Sequence, residues 1–315
     1  MIALADCNNF FASCERSLRP ELEGKPIIVL SNNDGCIIAR SNEVKALVYK
    51  MGEPVFKVKD QLLRDKVHVF SANVTLYRAV SQQIMQILAS ECNAMEVYSI
   101  DEAFMDFTDV ACPDEKAILL REQVLRETKI PISIGIAKTK VLAKLASTIA
   151  KKHTSKGVFL FTDKALVSRA LDYYPVEDLW GVGSRLTKTL NKKGIFNPSQ
   201  LANLNESWLR KYMNIGGVRL VRELNGIPCS DLVETRAAKK SIMNSRSFKK
   251  ELSSQSELNE ILTNFASSCA QKLRNQKSCT QKLCVFIQTN RFKPDAKIHN
   301  GYIEVIFPTA TNDSI

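Results

Sequence analysis

The sequence predicts an α+β protein with more than one domain, and three observations lead to this fold class. The chain has 315 residues, 45% of them hydrophobic, which suffices for a sizeable core and exceeds one typical domain. Short apolar runs alternate with helical patterns through the first half of the chain. A polar, basic segment at 233–241 then precedes a second run of strand and helix patterns, as a linker between domains would.

Apolar spacing predicts the elements of the first half in order. The predicted strands are 1–5, 27–30, the run that follows the turn Asn33-Asp34-Gly35, two strands around Asp101-Glu102, and PISIGIA. The predicted helices are 42–49, 76–90, 114–128 and 138–152. Strands and helices in this order indicate a sheet with helices packed on one face.

The second half has a different character. From 164 to about 228, short helices are separated by glycine turns. After the linker, 241–248 is predicted as a strand, 256–275 as a helix, and 281–290 and 301–307 as strands. These elements predict a second, smaller α+β domain.

Charge and composition limit the classes of function. The net charge of +11 favours a polyanionic partner or an anionic membrane surface, and residues 236–315 hold 13 Lys and Arg against 6 Asp and Glu. No apolar stretch approaches the roughly 18 to 20 residues of a membrane span, and no secretory leader is visible. Nine scattered cysteines without a Cys-x-x-Cys pair, and three histidines, argue against a zinc cage or a disulfide framework. We expect a soluble intracellular protein.

Three acids stand at predicted strand ends. Asp6 closes an apolar strand, and Asp101 and Glu102 lie in the bend of an apolar hairpin. If both hairpin strands flank the first strand, the three carboxylates reach one edge of the sheet. Clustered carboxylates repel one another unless a cation compensates them, and Mg²⁺ prefers such oxygen ligands. For each acid alone, capping a turn or facing solvent is the simpler interpretation.

The motifs around these acids resemble those of a known family. They are Asp6-Cys7-Asn8-Asn9-Phe10-Phe11-Ala12-Ser13-Cys14-Glu15, Tyr98-Ser99-Ile100-Asp101-Glu102-Ala103-Phe104, Gly24-Lys25-Pro26, the run from Val29 to Cys36, and Ala39-Arg40. The chain resembles the Y-family DNA polymerases over essentially its whole length, in their UmuC-like branch. The resemblance implies a right-hand polymerase fold with a ferredoxin-like palm (1–16 and 76–163), small fingers (17–75), a helix-hairpin-helix thumb (164–232), a linker (233–241) and a little finger (242–315).

The resemblance also implies roles at the catalytic centre. Asp6 and Asp101 would bridge two Mg²⁺ ions, with Mn²⁺ as an alternative, while Glu102 and the Cys7 carbonyl would each complete one metal site. Phe11 would be the steric gate against ribonucleotides, and Phe10 a core residue. The triphosphate would meet the amides of Asn9, Phe10 and Phe11 and the side chains of Lys45 and Lys151. Asn42 and Lys45 stand where many relatives have Tyr and Arg, so that a point charge replaces a guanidinium fork.

Further residues are predicted to contact the base pair or the DNA backbone. Cys36 and Ile38 would form a roof over the nascent base pair; the alternative is that they are two buried strand residues without such a role. Lys138, Lys144 and Lys152 form a solvated or DNA-facing stripe. The glycine turns of a helix-hairpin-helix would hold phosphates at Gly181, Gly183 and Ser184, with a weaker copy at Gly216. The basic C-terminal region would add Arg246, Lys249, Lys250 and Arg291.

The function that the resemblance implies is template-directed, error-prone translesion synthesis in SOS-type DNA damage tolerance. The implied partners are primer–template DNA, deoxynucleotides, a UmuD-like dimer and a recombinase filament, in the nucleoid-associated cytoplasm of a bacterium. A sliding-clamp motif would lie beyond Ile315, since relatives of this branch are longer and the little finger is expected to be truncated. Two other interpretations are a catalytically impaired DNA-binding or regulatory homologue and another palm-type nucleotidyl transferase or cyclase. Intact acids disfavour the former, and the basic C-terminal domain disfavours the latter.

Overall fold

The structure is a computed structural model that describes residues 1–235, 237–248, 252–289 and 297–314. The chain divides into two compact units, Met1–Thr235 and Arg236–Ile315. The boundary falls inside 233–241, where the sequence becomes polar and basic. The finer division of the first unit into palm, fingers and thumb stays a prediction.

Helices and strands alternate along the first unit. In chain order they are β1 (Ile2–Cys7), α1 (Phe10–Ser17), β2 (Ile27–Leu30), β3 (Ile37–Arg40), α2 (Asn42–Ala46), α3 (Val55–Arg64), β4 (His68–Ser71), α4 (Val74–Ser90), β5 (Met95–Val97), β6 (Glu102–Asp106), α5 (Pro113–Thr128), β7 (Ile132–Ala137), α6 (Lys140–His153), β8 (Val158–Leu160), α7 (Lys164–Tyr173), α8 (Ser184–Asn191), α9 (Pro198–Ala202) and α10 (Glu206–Leu224). The strands and helices predicted up to residue 152 are confirmed, with ends shifted by a few residues.

Five strands form the main sheet, in the order β5-β6-β1-β7-β8. β1 pairs antiparallel with β6 and β7, and β8 joins β7 in parallel. The condition that both hairpin strands flank β1 is not met, because β6 is the only one of the two beside β1 and β5 lies outside β6. With α4 before the hairpin and α5 after it, the order of β5, β6, β1 and β7 is that of a ferredoxin-like fold.

Alternate residues along β1 give the main sheet two apolar faces. Ala3 and Ala5 belong to a core shared with α4 and α5, whereas Leu4 belongs to a second core shared with α6. On β7, Gly135 lets α6 approach closely, since a Cβ there would lie 1.9 Å from the backbone nitrogen of Ser147. The prediction of helices on one face is therefore wrong: strands that are apolar on both sides need cover on both faces.

A second sheet has the order β3-β2-β4, within the range predicted as fingers. β2 pairs antiparallel with β3 and parallel with β4. Ile28 and Ile37 pack against Val44 of α2 and Val58 of α3. On the other side of β2, Ile27 packs with Ala12 of α1. This contact joins the small sheet to the helix that directly follows Asp6.

The helices after residue 163 pack on the α6 side of the main sheet. Leu171, Leu190 and Leu209 share one core with Val141 at the start of α6. Glu223 of α10 is 2% exposed, and its Oε2 accepts a hydrogen bond of 3.0 Å from the Val141 N–H. A carboxylate at a helix N-terminus is electrostatically favourable. The position of α6 is therefore fixed from both sides.

The second unit contains α11 (Gln255–Gln276), β9 (Thr280–Gln288) and β10 (Asn300–Thr311). The two strands form an antiparallel pair in which Glu304 lies opposite Cys284. The strand predicted over 241–248 is wrong, because these residues have no regular secondary structure. Serine and asparagine dominate that segment, and both pack poorly on a pleated surface. Along the described part of the chain, no helix is long and apolar enough to cross a membrane.

Candidate active site

The three acids named from the sequence lie together at one edge of the main sheet. Asp6 of β1 and Glu102 of β6 are direct cross-strand partners, so their side chains leave the same face of the sheet. Asp101 comes immediately before β6, and its carbonyl accepts a hydrogen bond of 2.9 Å from the Cys7 N–H. The pairing of β1 with β6 therefore brings Asp6, Asp101 and Glu102 to one site.

A tight turn holds Asp101 in place. The Glu102 carbonyl accepts hydrogen bonds from the N–H groups of Tyr98, at 3.0 Å, and Ser99, at 3.1 Å. The Ser99 hydroxyl donates to Asp101 Oδ1 at 2.6 Å. Asp101 thus lies in the turn itself, whereas Glu102 is already the first residue of β6.

Helix α6 places lysines over the acidic face. Lys151 Nζ lies 2.6 Å from Asp6 Oδ1, and Lys144 Nζ lies 2.5 Å from Glu102 Oε1. Of the two alternatives for the lysine stripe, solvated or DNA-facing, the solvated one is wrong for Lys144, because α6 covers the sheet and directs this residue to Glu102. The DNA-facing alternative stays a prediction. Lys152 does lie at the surface, where its Nζ is 3.8 Å from Asp178 Oδ2.

The electrostatics of the edge suit a divalent cation. Burial raises the pKa of Glu102 and the Asp6 carboxylate raises it further, whereas Lys144 opposes both. Within the residues that the structure describes, no group of three or more His, Cys, Asp and Glu side chains forms a ready metal cage. Mg²⁺ usually takes only one or two carboxylates and completes its shell with substrate phosphates and water. Clustered carboxylate oxygens that repel one another fit such an ion.

Cys7 contributes to the edge through its backbone. Its side chain is 3% exposed and lies in the core with α4 and α5, on the face opposite the acids. Burial, Asp101 and Asp6 raise the pKa of the Cys7 thiol well above its usual value. A neutral, buried thiol is a poor metal ligand, which leaves the carbonyl as the donor that Cys7 offers.

Polar side chains of α1 and α2 meet beside Asp6. Asn9 Nδ2 donates to Asn42 Oδ1 at 2.9 Å, and Lys45 Nζ donates to Asn9 Oδ1 and, at 3.4 Å, to Asn42 Oδ1. Burial and the positive charges of Lys151 and Arg40 lower the pKa of Lys45. The pocket is therefore electropositive and suited to a polyanion such as a triphosphate.

The two phenylalanines at the start of α1 have different environments. Phe10 is 3% exposed and belongs to the core. Phe11 is half-buried and stacks on Tyr77 of α4, with ring centroids 4.4 Å apart and ring planes 16° apart. Asn9 precedes them in the left-handed conformation without capping α1 by its side chain, so the first N–H groups of the helix stay open to an anion.

The contact between Tyr77 and Glu15 was not predicted from the sequence. The Tyr77 hydroxyl donates to Glu15 Oε1 at 2.8 Å, and Glu15 Oε2 lies 2.7 Å from Arg19 Nη1. Glu15 is 4% exposed, so both donors satisfy a buried carboxylate. The available signal in the sequence was Glu15 itself, an acid among apolar residues of α1. This signal does not identify Tyr77 as its partner.

The residues predicted as a base-pair roof share one face of their strand segment. Ile37 and Ala39 are buried, whereas Cys36 and Ile38 are partly exposed. Ile38 and Phe11 both pack against the core that includes Tyr77. The role of Cys36 and Ile38 as a roof stays a prediction.

The predicted phosphate-binding turns lie at helix starts. Gly181 has a φ of 90°, Gly183 is the N-cap of α8, and Ser184 is its first residue. In the predicted second copy, Asn214 interrupts α10 with a φ of 58°, and a Cβ on Gly216 would meet nothing within 4 Å. Both turns leave room for close approach of a backbone phosphate.

Four further DNA contacts were predicted in the second unit. Arg246 is exposed there. Lys249, Lys250 and Arg291 lie outside the described residues.

Two family models together match most of the chain. A model described as the impB/mucB/samB family matches residues 5–148, and one described as that family's C-terminal domain matches residues 239–315. The protein ImpB of Salmonella typhimurium is 40% identical over all of this chain and 76% of its own length. The protein UmuC of Salmonella typhimurium strain LT2 shows the same identity and coverage. DNA polymerase IV 1 of Bacillus subtilis strain 168 is 31% identical over 90% of this chain and 69% of its own length.

Solved structures share the fold. DinB from Sulfolobus solfataricus aligns with a TM-score of 0.65 and 22% identity, over 98% of this chain and 89% of its own. A Y-family DNA polymerase chimera aligns with a TM-score of 0.72 and 22% identity over the same shares.

Proposed function

The chain belongs to the impB/mucB/samB family, within the UmuC-like Y-family DNA polymerases, and we propose that its acidic edge is where nucleotides are joined to DNA. It is an error-prone DNA polymerase of the translesion type, which acts in DNA damage tolerance. The observation that supports the location of the site is the cross-strand pair of Asp6 and Glu102 with Asp101 beside it.

Asp6, Asp101, Glu102 and the Cys7 carbonyl would hold two divalent ions, Mg²⁺ or Mn²⁺. When bound, such ions activate a primer 3′-hydroxyl and stabilise the leaving pyrophosphate. Lys144 Nζ lies 2.5 Å from Glu102 and Lys151 Nζ lies 2.6 Å from Asp6, and these ion pairs hold the two carboxylates in place in a partly buried site. On metal binding, the carboxylates would exchange their contacts with the lysine ammonium groups for contacts with the ions.

The pocket beside Asp6 would receive the nucleotide. Lys45, held by Asn9 and Asn42, and Lys151 would bind the triphosphate together with the first N–H groups of α1. Phe11 would lie beneath the sugar as the steric gate, and the stacked ring of Tyr77 would hold Phe11 in place. Cys36 and Ile38 would form the roof over the base pair.

Primer–template DNA would be held by the rest of the chain. We assign residues 1–16 and 76–163 to the palm, 17–75 to the fingers, 164–232 to the thumb and 242–315 to the little finger. Gly181, Gly183, Ser184 and Gly216 would bind backbone phosphates without reading sequence. Arg246, Lys249, Lys250 and Arg291 would add charge contacts. A UmuD-like dimer, a recombinase filament, a sliding clamp and a nucleoid location are proposals that rest on the relationship to UmuC.

Primer extension on a template with a lesion tests this function. The double variant Asp101→Ala, Glu102→Ala is expected to lose extension, because it removes two of the three carboxylates. Asp106→Asn is the matched control, since Asp106 lies at the far end of β6 and contacts Thr108. Equal extension by the wild type and the double variant would contradict the metal site. Unimpaired DNA binding by an inactive wild type would instead favour a regulatory homologue.

A further inference from the structure

An aromatic cage, formed by Tyr98, Phe104 and Trp180, lies beside Lys144 between the main sheet and the predicted thumb. The ring centroids of Tyr98 and Trp180 are 5.5 Å apart in an edge-on contact, and Phe104 lies 5.6 Å from Tyr98 and 6.0 Å from Trp180. Lys144 Nζ lies 5.1 Å from the Tyr98 ring centroid and 5.9 Å from that of Trp180. Both distances are within the range of cation–π attraction. The ammonium group is therefore held by two rings as well as by Glu102.

One end of this cage is the predicted phosphate-binding turn. Trp180 directly precedes Gly181, whose φ of 90° starts the turn into α8. The indole Nε1 donates a hydrogen bond of 3.1 Å to the Tyr98 hydroxyl. This hydrogen bond links the turn to Tyr98.

The other end is the carboxylate edge. The Tyr98 N–H donates to the Glu102 carbonyl, and Lys144 Nζ lies 2.5 Å from the Glu102 carboxylate. The Glu102 side chain is 13% exposed and that of Lys144 is 24% exposed, so neither group is free to reorient in solvent. Two residues thus connect Glu102 to Trp180 through directional contacts.

We propose that Trp180, Tyr98 and Lys144 are positioning residues that couple phosphate binding at turn 181–184 to the orientation of Glu102. The inference rests on the proposed function of the turn and of Glu102. Binding of a DNA backbone moves the turn and the adjacent indole, the Tyr98 hydroxyl follows its donor, and Lys144 transmits the shift to the carboxylate. The acidic edge then reaches its active geometry only when DNA lies on the thumb. If the cage were only an apolar packing contact, it would need neither the Tyr98 hydroxyl nor the Lys144 ammonium group.

Fluorescence of Trp180 provides a direct readout. Trp180 and Trp208 are the two tryptophans of the chain, and Trp208 stacks on Tyr212, with ring centroids 4.6 Å apart. In the Trp208→Phe variant, which itself is expected to keep normal activity, emission reports on the cage alone. Addition of primer–template DNA, and then of Mg²⁺, is expected to shift this emission. Combining Trp208→Phe with Lys144→Met is expected to abolish the response to Mg²⁺.

Kinetics distinguish positioning from binding. Tyr98→Phe keeps the ring and loses the acceptor for the indole, and Lys144→Met keeps the aliphatic stem and loses the charge. Each is expected to lower kcat for insertion about tenfold, while KM for the nucleotide and Kd for DNA stay within about twofold. Lys144→Arg, which keeps the cation, is expected to restore part of kcat. Thermal unfolding of each variant shows whether it folds.

The outcomes separate this inference from the function on which it rests. The coupling is wrong if Trp180 emission responds to neither DNA nor Mg²⁺. It is also wrong if the folded Tyr98→Phe variant keeps its full kcat. Neither result contradicts the proposed polymerase site. If the Asp101→Ala, Glu102→Ala double variant extends primers normally, the proposed site itself is wrong. A loss in Tyr98→Phe of DNA affinity alone would assign the cage to binding and also overturn the coupling.

Discussion

Asp6 and Glu102 are cross-strand partners, and each is paired with a lysine from the same helix. The two lysines, Lys144 and Lys151, are seven residues apart, which is close to two helical turns. Their spacing therefore places both lysines on the same side of α6, from which their side chains reach Glu102 and Asp6. Because α6 carries the counter-charges of Asp6 and Glu102, the proposed metal site depends on how closely α6 packs on the sheet.

The electropositive pocket gives a prediction for Lys45. Lys45→Ala is expected to raise KM for the deoxynucleotide about tenfold to a hundredfold, because a hydrogen bond to a charged group contributes about 1.5–3 kcal/mol. Single-nucleotide insertion kinetics measure this change. Lys57→Ala, an exposed lysine on α3, is the matched control and should leave KM unchanged. An unchanged KM in Lys45→Ala would remove this residue from the phosphate site.

The stacking of Phe11 on Tyr77 gives a prediction about sugar selectivity. Phe11→Ala is expected to increase ribonucleotide incorporation about tenfold relative to deoxyribonucleotides, equal to ~1.4 kcal/mol of discrimination. The reason is that the ring which would collide with a 2′-hydroxyl is gone. Competition between the two nucleotides on one template measures the ratio. Unchanged selectivity would exclude Phe11 as the gate.

Tyr77→Phe is the matched control for the gate, because it keeps the stacked ring and removes only the hydroxyl. Sugar selectivity should therefore stay as in the wild type. Stability should fall by about 1–3 kcal/mol, since the buried Glu15 loses one of its two donors. Urea unfolding measures that loss.

Apolar spacing predicted most strands and helices up to residue 152, and motifs named Asp6, Asp101, Glu102 and Phe11. The sequence did not identify their partners. A run of lysines on a helix predicts a solvated or DNA-facing stripe, and the sequence does not show that this helix covers a sheet, so the contact of Lys144 with Glu102 was not predicted. Tyr77 occupies an ordinary apolar position of an amphipathic helix, and its contact with Phe11 joins residues far apart in the chain. Such contacts depend on tertiary packing, which the spacing of apolar residues along the chain does not reveal.

The error about the faces of the sheet has the same origin. Alternation along β1 places Ala5 on one face and Leu4 on the other, both buried. A run of buried residues predicts a strand without indicating which helix covers which face. Gly135 was the available signal for α6, since a glycine inside a strand often marks close approach of another backbone.

Gly135 gives a prediction about stability. Gly135→Ala is expected to lower the free energy of unfolding by about 1–3 kcal/mol or more, because the new Cβ overpacks the contact with α6. Primer extension should fall with it, since α6 carries Lys144 and Lys151. Gly35→Ala is the matched control: its Cβ would meet nothing closer than the Ser31 hydroxyl at 3.7 Å. Denaturant midpoints for both variants check the difference, and equal midpoints would contradict the close packing of α6.

The contact between α1 and α2 gives a prediction about pH. Arg16 Nη2 lies 3.0 Å from both oxygens of Glu43. Burial raises the pKa of Glu43, but hydrogen bonds from Ser41, the Glu43 backbone and Arg16 outweigh it and lower the pKa overall. A carboxylate with a lowered pKa stabilises the folded state above its ordinary pKa of about 4.3, and this contribution is lost as pH falls through the folded value.

Glu43→Gln should therefore unfold at a lower Tm than the wild type at neutral pH, because the ion pair is absent from the variant. The two Tm values should converge as the solution is acidified below the folded pKa of Glu43, where the wild-type carboxyl is protonated as well. Thermal unfolding across a pH series measures the difference. Glu21→Gln, at an exposed position near α1, should match the wild type throughout. A Tm gap for Glu43→Gln that persists unchanged into acid would show that packing, and not the charge on Glu43, maintains the contact between α1 and α2.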